Sequence, residues 1–508
     1  MGSSGSSLNP TMTPKGSSGI FPPMYPHGLG EFPPKIANFP EAVKRTAASE
    51  TSLDKQKEKC YFRARPVRKS DHQGEGAEMN LRLEYGEGYK SVEIDEGRFL
   101  GLLGPKPVDE VADVGKAVED SLKDPIGSEP LGRLLRGKKD ALILTVDATR
   151  PSPRPLLTPI LSLCERLGVK ATICIAIGRH RSMTREELRH HLGEEIYDNW
   201  EVVQHDPFDD GIHIEVGHTR RGTPIKVNEI VFQKEVVLGV GTIEPSYLCG
   251  FSGGRKLIMP GISHHTAIDA NHYLLIERGA EIGKLEGNPV SEDAEEFARK
   301  VPFHWITCSV VGPEDEIVDV VSGDPYLAHE KGCELSRRIF RCERREAEIV
   351  IASPGGFPYD CDLVQGKKAV IPAAEMVKRG GVIIILSECR EGFGAEDAFR
   401  DWITRLSPRE VVRRVKDRSH FSLGAHGAYI LAKPIVEKGV KVILVTEPQM
   451  ASQLSSSYLV ATTDLEDALG IAEEHTSSHA TVLALRKARR LIPQKVSERG
   501  TFWGYIVH

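Results

Sequence analysis

No run of eighteen apolar residues occurs in this 508-residue sequence, so no membrane-spanning helix is expected. The N-terminal residues do not follow the basic-then-apolar order of a secretory signal, and cytoplasm is the expected compartment. Nine cysteines are scattered and none falls in a C-x-x-C pair, which argues against a disulfide framework and a structural zinc site. H-E-x-x-H and H-x-H are both missing, so a conventional zinc hydrolase has no support. No G-x-G-x-x-G follows an early strand with an acidic residue suitably downstream, which sets aside a nicotinamide dehydrogenase. Nor is there an excess of positive charge: 66 Lys and Arg against 72 Asp and Glu leave a net charge of -6, unlike a general nucleic-acid binder.

What is present suits a soluble α/β enzyme. An apolar fraction of 40% can fill real cores, and the length favours two α/β units with extensions. Residues 1–75 are rich in Ser, Gly, Pro and Lys and are expected to form a disordered extension without chemistry. Beyond them, Ala141–Val146, Lys170–Ile177 and Val236–Val240 read as strands, with a helix over Leu156–Leu167 and a capping box at Thr184 and Glu187 opening another. Glu348–Ala352, Gly381–Leu386, Lys441–Thr446 and Thr481–Leu485 form a second strand series, with helices over Val364–Arg379 and Leu465–Glu474. This alternation predicts two α/β domains with parallel sheets, residues 76–335 and 336–508, and an active-site cleft between them.

Five segments carry chemistry. Asp147-Ala148-Thr149-Arg150 follows a buried strand, where amides, a hydroxyl and a guanidinium can hold a phosphate or carboxylate; a capped turn with a surface arginine is the plain alternative. His180, in Gly178-Arg179-His180-Arg181, is a candidate general base whose flanking arginines favour the neutral imidazole; the alternative is a surface histidine in a basic loop. Gly250-Phe251-Ser252-Gly253-Gly254-Arg255-Lys256 lets backbone approach a bulky anion and offers a reactive amine, although it is not a Walker A loop. His264, His265 and His272 form a histidine-dense stretch without metal-ligand spacing, so a lone His272 suffices for a metal only if a cofactor brings the other donors. Gln365 and Lys368, three apart, share a helical face suited to a carboxylate.

Together these motifs, in this order from about residue 80 onward, resemble the lactate racemase family, which uses a nickel-pincer nucleotide, nickel(II) pyridinium-3,5-bisthiocarboxylate mononucleotide. The resemblance implies a cofactor-binding turn at Asp147, Ala148, Thr149 and Arg150 and a catalytic histidine at His180. It further implies a tethering lysine at Lys256, a nickel ligand at His272, and substrate contacts at Arg150, Gln365 and Lys368. Cofactor-maturation proteins are the implied partners, and reversible hydride transfer at C2 of a 2-hydroxy acid is the implied reaction. One position departs. Ten residues before the tethering lysine the family carries a second catalytic histidine, and here stands Ser246, a poor base. His264, His265 or His205 folding into that place, a relay through the substrate or a Ser246-held water, or a changed substrate are the competing expectations. The reading adopted is racemisation or epimerisation of an acid larger than lactate; its rivals are an oxidoreductase on the same cofactor and a non-catalytic cofactor-binding chain.

Overall fold

Two six-stranded sheets organise the chain. The computed structural model describes residues 77–394, 397–418, 421 and 424–495, so the expected extension over 1–75 lies outside the described residues. The first sheet runs in the order Ile317–Gly323, Trp305–Val311, Val236–Ile243, Asp140–Thr145, Lys170–Ile175, Glu201–Gln204, parallel except for the first strand. The second runs Val460–Thr462, Lys441–Val445, Val377–Leu386, Ala347–Ala352, Val482–Leu485, Phe99–Leu103, all parallel. The expected α/β architecture with parallel sheets is therefore present.

Parallel strands covered on both faces read as unbroken apolar runs, and these do. Along Asp140–Thr145, Ala141 and Ile143 pack on one side with Leu156, Leu157 and Ile160 of the helix Arg154–Leu167. Leu142 and Leu144 pack on the other with Ile258, Ile262 and Phe297. Each such buried aliphatic side chain contributes about 1.5–3 kcal/mol relative to exposure. The expected capping box is formed: Glu187 N–H donates to Thr184 Oγ1 at 3.2 Å, and Thr184 N–H to the Glu187 carboxylate at 2.7 Å.

Two features differ from the sequence expectation. The expected helix over Val364–Arg379 is instead a helical turn Leu363–Gly366, a 3₁₀ turn Lys367–Ala369 and a helix Val370–Met376, with the strand starting at Val377. Pro372 has no N–H for the carbonyl four residues back, which tightens the preceding turn. In addition, Phe99–Leu103, early in the chain, pairs with Val482–Leu485 in the second sheet. The hairpin Glu78–Tyr85/Gly88–Asp95 lays Leu81, Leu83, Val92 and Ile94 on that sheet's Ile349, Ile351 and Val382. Alternating apolar residues of the hairpin cover a face that the helix Leu465–His475 leaves half bare.

Candidate active site

Three neighbouring strands of the first sheet end where the candidate residues begin. Asp147 follows Asp140–Thr145, His180 follows Lys170–Ile175, and Glu244 follows Val236–Ile243. The C-terminal ends of parallel strands are where open α/β sheets bind ligands.

Asp147 is the anchor of this set. Its Oδ2 stands 2.6 Å from His180 Nδ1, while Oδ1 accepts from Thr149 N–H at 3.1 Å and from Thr149 Oγ1 at 2.5 Å. Burial opposes its charge, but the hydrogen bonds and charges of His180, Thr149 and Arg150 outweigh it and hold the carboxyl at about 2. An ionised Asp147 accepts from His180 Nδ1–H, which leaves the Nε2 lone pair outward on a half-exposed ring. This corrects the sequence expectation in two respects. The Thr149 amide and hydroxyl, together with the Arg150 amide (3.1 Å to Asp147 O), are taken up inside the turn rather than offered to an anion. The flanking arginines pair elsewhere, Arg179 with Asp269 at 2.7 Å and Arg181 with Glu187 at 2.5 Å, and Asp147 is the charged side chain on the His180 ring. Ala148 is exposed at the tip of the turn.

Arg150 is held by a group to which the sequence reading assigned no role. Its Nε lies 3.4 Å from Glu244, a buried carboxylate that also meets Arg490 at 2.6 Å and Arg489 at 3.4 Å. Both arginines sit on the 3₁₀ turn Ala488–Arg490, just beyond a strand of the second sheet. Burial alone would protonate Glu244, yet Arg490, Arg489, Arg150 and Lys368 hold it far below the usual carboxylate range. Lys368 donates to Gln365 Oε1, so the expected pair on one face is formed. Its ammonium is pushed well down, first by burial and then by Arg150, Lys367 and Arg489. Cations outnumber carboxylates in this cluster, which disfavours the charged form of Lys368. Glu244→Gln leaves those guanidinium groups buried without their carboxylate, and is expected to lower stability by about 3–5 kcal/mol. Urea unfolding checks this; a loss under about 1 kcal/mol would mean that Asp315, the other carboxylate on Arg490, suffices.

The glycine-rich loop serves the protein's own packing. At Gly250 (φ 78°) a Cβ would lie 2.0 Å from the Lys284 carbonyl oxygen, and at Gly254 (φ 52°) 2.6 Å from the His329 ring. These close approaches by themselves require glycine at both positions. Arg255 turns inward to Ser291 and His329, and half-buried Lys256 follows on the 3₁₀ turn Gly254–Leu257.

His272 lies near the end of the helix His265–Tyr273, anchored by Asn271, whose amide donates to Asp293 at 2.9 Å and to the Val290 carbonyl at 3.1 Å. Its Nδ1 is buried and has no hydrogen-bond partner. Burial, then the charges of His426, Lys256, Arg179 and His180, press its imidazole toward the neutral form. Lys256 and His180 are thus among the groups whose charge reaches His272.

Ser246 is half-buried, with Cys249 Sγ 3.8 Å from its hydroxyl. The histidines expected to replace its missing imidazole are bonded elsewhere. His205 donates to Ser263 O at 3.0 Å, His264 meets Asp210 at 3.1 Å, and His265 stacks on Phe208. Among the described residues His426 reaches this segment, with Nε2 3.2 Å from the Tyr247 hydroxyl and its ring edge-on to His272. Glu244, Arg489, Arg490 and His426 escaped the sequence reading; Glu-Pro after a buried strand was a signal for the first, whereas a lone His426 offers none.

The chain matches the family model for the lactate racemase N-terminal domain over residues 85–283 and that for the C-terminal domain over residues 342–490. It is 31% identical over 412 residues to the lactate racemase of Thermoanaerobacterium thermosaccharolyticum, covering 79% of this chain and 96% of that protein. It is also 31% identical over 339 residues to the lactate racemase of Lactiplantibacillus plantarum, covering 65% and 80% respectively. The structure of the lactate racemase apoprotein from T. thermosaccharolyticum superposes with a TM-score of 0.77 at 30% identity, over 82% of this chain and 100% of that one. A Thermotoga maritima protein at 19% identity and a TM-score of 0.56, over 74% of this chain and 100% of that one, shares the fold. With these matches across both lobes, the chain belongs to the lactate racemase family and is an enzyme of the isomerase class.

Proposed function

We propose that this enzyme inverts C2 of a 2-hydroxy acid with a nickel-pincer nucleotide tethered to Lys256 and ligated by His272. The observation that carries the reading is the half-buried His272, whose Nδ1 is shut off from solvent with no hydrogen bond on it, and whose imidazole is pressed toward the neutral form by burial and the charges of His426 and Lys256. A neutral imidazole nitrogen is a good ligand for nickel, and one is enough where the cofactor supplies the remaining donors. When bound, that group supplies a reversible acceptor for the hydrogen and electron pair of the C2–H bond.

The chain's own residues do the rest. Arg150 and Lys368, with the Gln365 amide, grip the substrate carboxylate, whose charge relieves the crowding around Lys368. His180, oriented by Asp147, takes the C2 hydroxyl proton at Nε2 and returns it when the opposite enantiomer forms. The turn Asp147, Ala148, Thr149 and Arg150 would hold the nucleotide, through its exposed Ala148 tip rather than through the donors it uses internally. Serine in place of histidine at 246 frees volume beside the reacting carbon, which favours an acid larger than lactate.

Co-expression with cofactor-assembly proteins tests the reading. A covalent mass adduct, about one nickel per chain, and inversion of 2-hydroxy acids on a chiral column, with bulkier acids ahead of lactate, are expected. Absence of adduct and nickel, under conditions that load a known lactate racemase, would overturn it. A loaded chain that turns over no acid would leave a non-catalytic cofactor-binding protein, and net keto acid without inversion an oxidoreductase.

A further inference from the structure

Inversion through a planar keto acid needs a proton carrier for each substrate orientation, and Asp147–His180 accounts for one. We propose that Tyr247, the residue after Ser246, is the second acid–base residue, held in place by His426. The proposal rests on the racemase reading above.

His426 is the second residue of the helix Ala425–Lys438 and is 4% exposed. The Gly424 N–H donates to its Nδ1 at 3.3 Å. A neutral imidazole that accepts at Nδ1 carries its hydrogen on Nε2, and Nε2 lies 3.2 Å from the Tyr247 hydroxyl oxygen. His426 therefore donates to that oxygen. A donor on a phenolic oxygen strengthens as the oxygen becomes charged, so it favours phenolate over phenol and suits tyrosine to proton exchange.

Position points the same way. The His426 ring stands edge-on to His272, centroids 6.5 Å apart and planes at 86°. Tyr247 lies parallel to His426 at 9°, on the segment that follows Val236–Ile243. His180 rises from the end of another strand of the first sheet, whereas His426 comes from a helix packed with the second sheet. Tyr247 and His180 thus follow different strands of the first sheet, and the helix on the second sheet supplies the His426 that holds Tyr247.

The step balances with the cofactor as the electron acceptor. For one enantiomer the C2 hydroxyl proton would pass to His180 Nε2 and the O–H pair would complete the C=O bond, the bound cofactor being what would accept the C2 hydrogen with its electron pair. After the keto acid reorients, C2 regains its hydrogen and the Tyr247 phenol supplies the oxygen's proton. For the other enantiomer the roles exchange, and both residues re-equilibrate with solvent between turnovers.

Rapid-quench trapping of keto acid in a single turnover, with each pure enantiomer in turn, tests this in loaded enzyme. Tyr247→Phe is expected to slow inversion by about 10²–10⁴-fold, with keto acid formation lost from one enantiomer and retained from the other; His180→Gln should show the mirror image. His426→Ala should repeat the one-sided loss of Tyr247→Phe, and His426→Gln, which keeps an N–H donor, should recover most of it. Unchanged inversion in Tyr247→Phe, or equal loss from both enantiomers, would overturn the proposal. Without cofactor, the absorbance titration of wild type minus Tyr247→Phe should place Tyr247 below the ordinary tyrosine value of about 10, and His426→Ala should raise it. Ionisation at or above that value would also overturn it. A wild type that loads yet inverts no acid would instead remove the racemase reading, while this titration still decides the state of Tyr247.

Discussion

Lys256→Ala is expected to yield a folded protein with no cofactor mass and no measurable inversion. Its backbone contributions to the turn, N–H to Gly253 O at 3.1 Å and C=O from Gly261 N–H at 2.9 Å, do not depend on the side chain. Among the described residues no hydrogen bond or ion pair of the Lys256 ammonium holds the fold together, so stability should stay within about 0.5 kcal/mol of wild type. What disappears is the amine proposed to form the covalent link. Lys256→Arg, which keeps the charge but not the nucleophile, should fail equally. Intact mass and a thermal melt on the same samples decide it: an adduct that survives either substitution would sink the assignment of Lys256.

Asp147→Asn is expected to cut turnover by about 10²–10⁴-fold with substrate binding little changed. Thr149 N–H and Oγ1 both donate to Oδ1, so in the variant the amide oxygen stays with Thr149 and the amide nitrogen faces His180. An N–H aimed at Nδ1 makes that nitrogen the acceptor, which places the ring hydrogen on Nε2 and removes the proton-accepting lone pair. The same carboxylate has a stability signature. Its folded pKa, about 2, lies below the ordinary aspartate value of 3.8, so its contribution is present above about 4 and lost as pH falls toward 2. That shift is on the order of 2 kcal/mol, so the stability gap between wild type and Asp147→Asn should close over this window. A gap independent of pH would mean that the pair with His180 does not hold the carboxylate ionised. A kcat unchanged in the variant would remove His180 as the base.

Some of this was readable residue by residue. Buried parallel strands such as Ala141–Leu144 and Val236–Val240 announce themselves as continuous apolar runs because both faces are covered. The capping box at Thr184 is a purely local device, and the local signal was enough. The pairing of Gln365 with Lys368 survived even though the helix around them did not run as expected, because three-residue spacing aligns side chains in either helix type. The break at Lys367–Ala369 depended on Pro372, a residue inside the predicted helix that apolar periodicity alone does not reveal.

Long-range partners were not readable. Glu244 meets Arg489 across 245 residues, Arg345 bonds Leu100 O from the same separation, and His426 reaches Tyr247 across 179. Sheet membership was equally hidden. Phe99–Leu103 carries no mark of which parallel sheet it will join, and only the bare face beside Ile349 and Ile351 recruits the hairpin that precedes it. By itself the sequence determined which side chains stand at strand ends, and hence the chemistry available: a carboxylate, a histidine, a lysine amine and several cations. Only the tertiary structure decided how they share protons and charge: Asp147 orients His180, Glu244 binds Arg150 to the second sheet, and His426 faces Tyr247. The physical reason is that a buried hydrogen bond or ion pair is short-ranged and directional, so its partner is set by which strand ends and helices packing brings together.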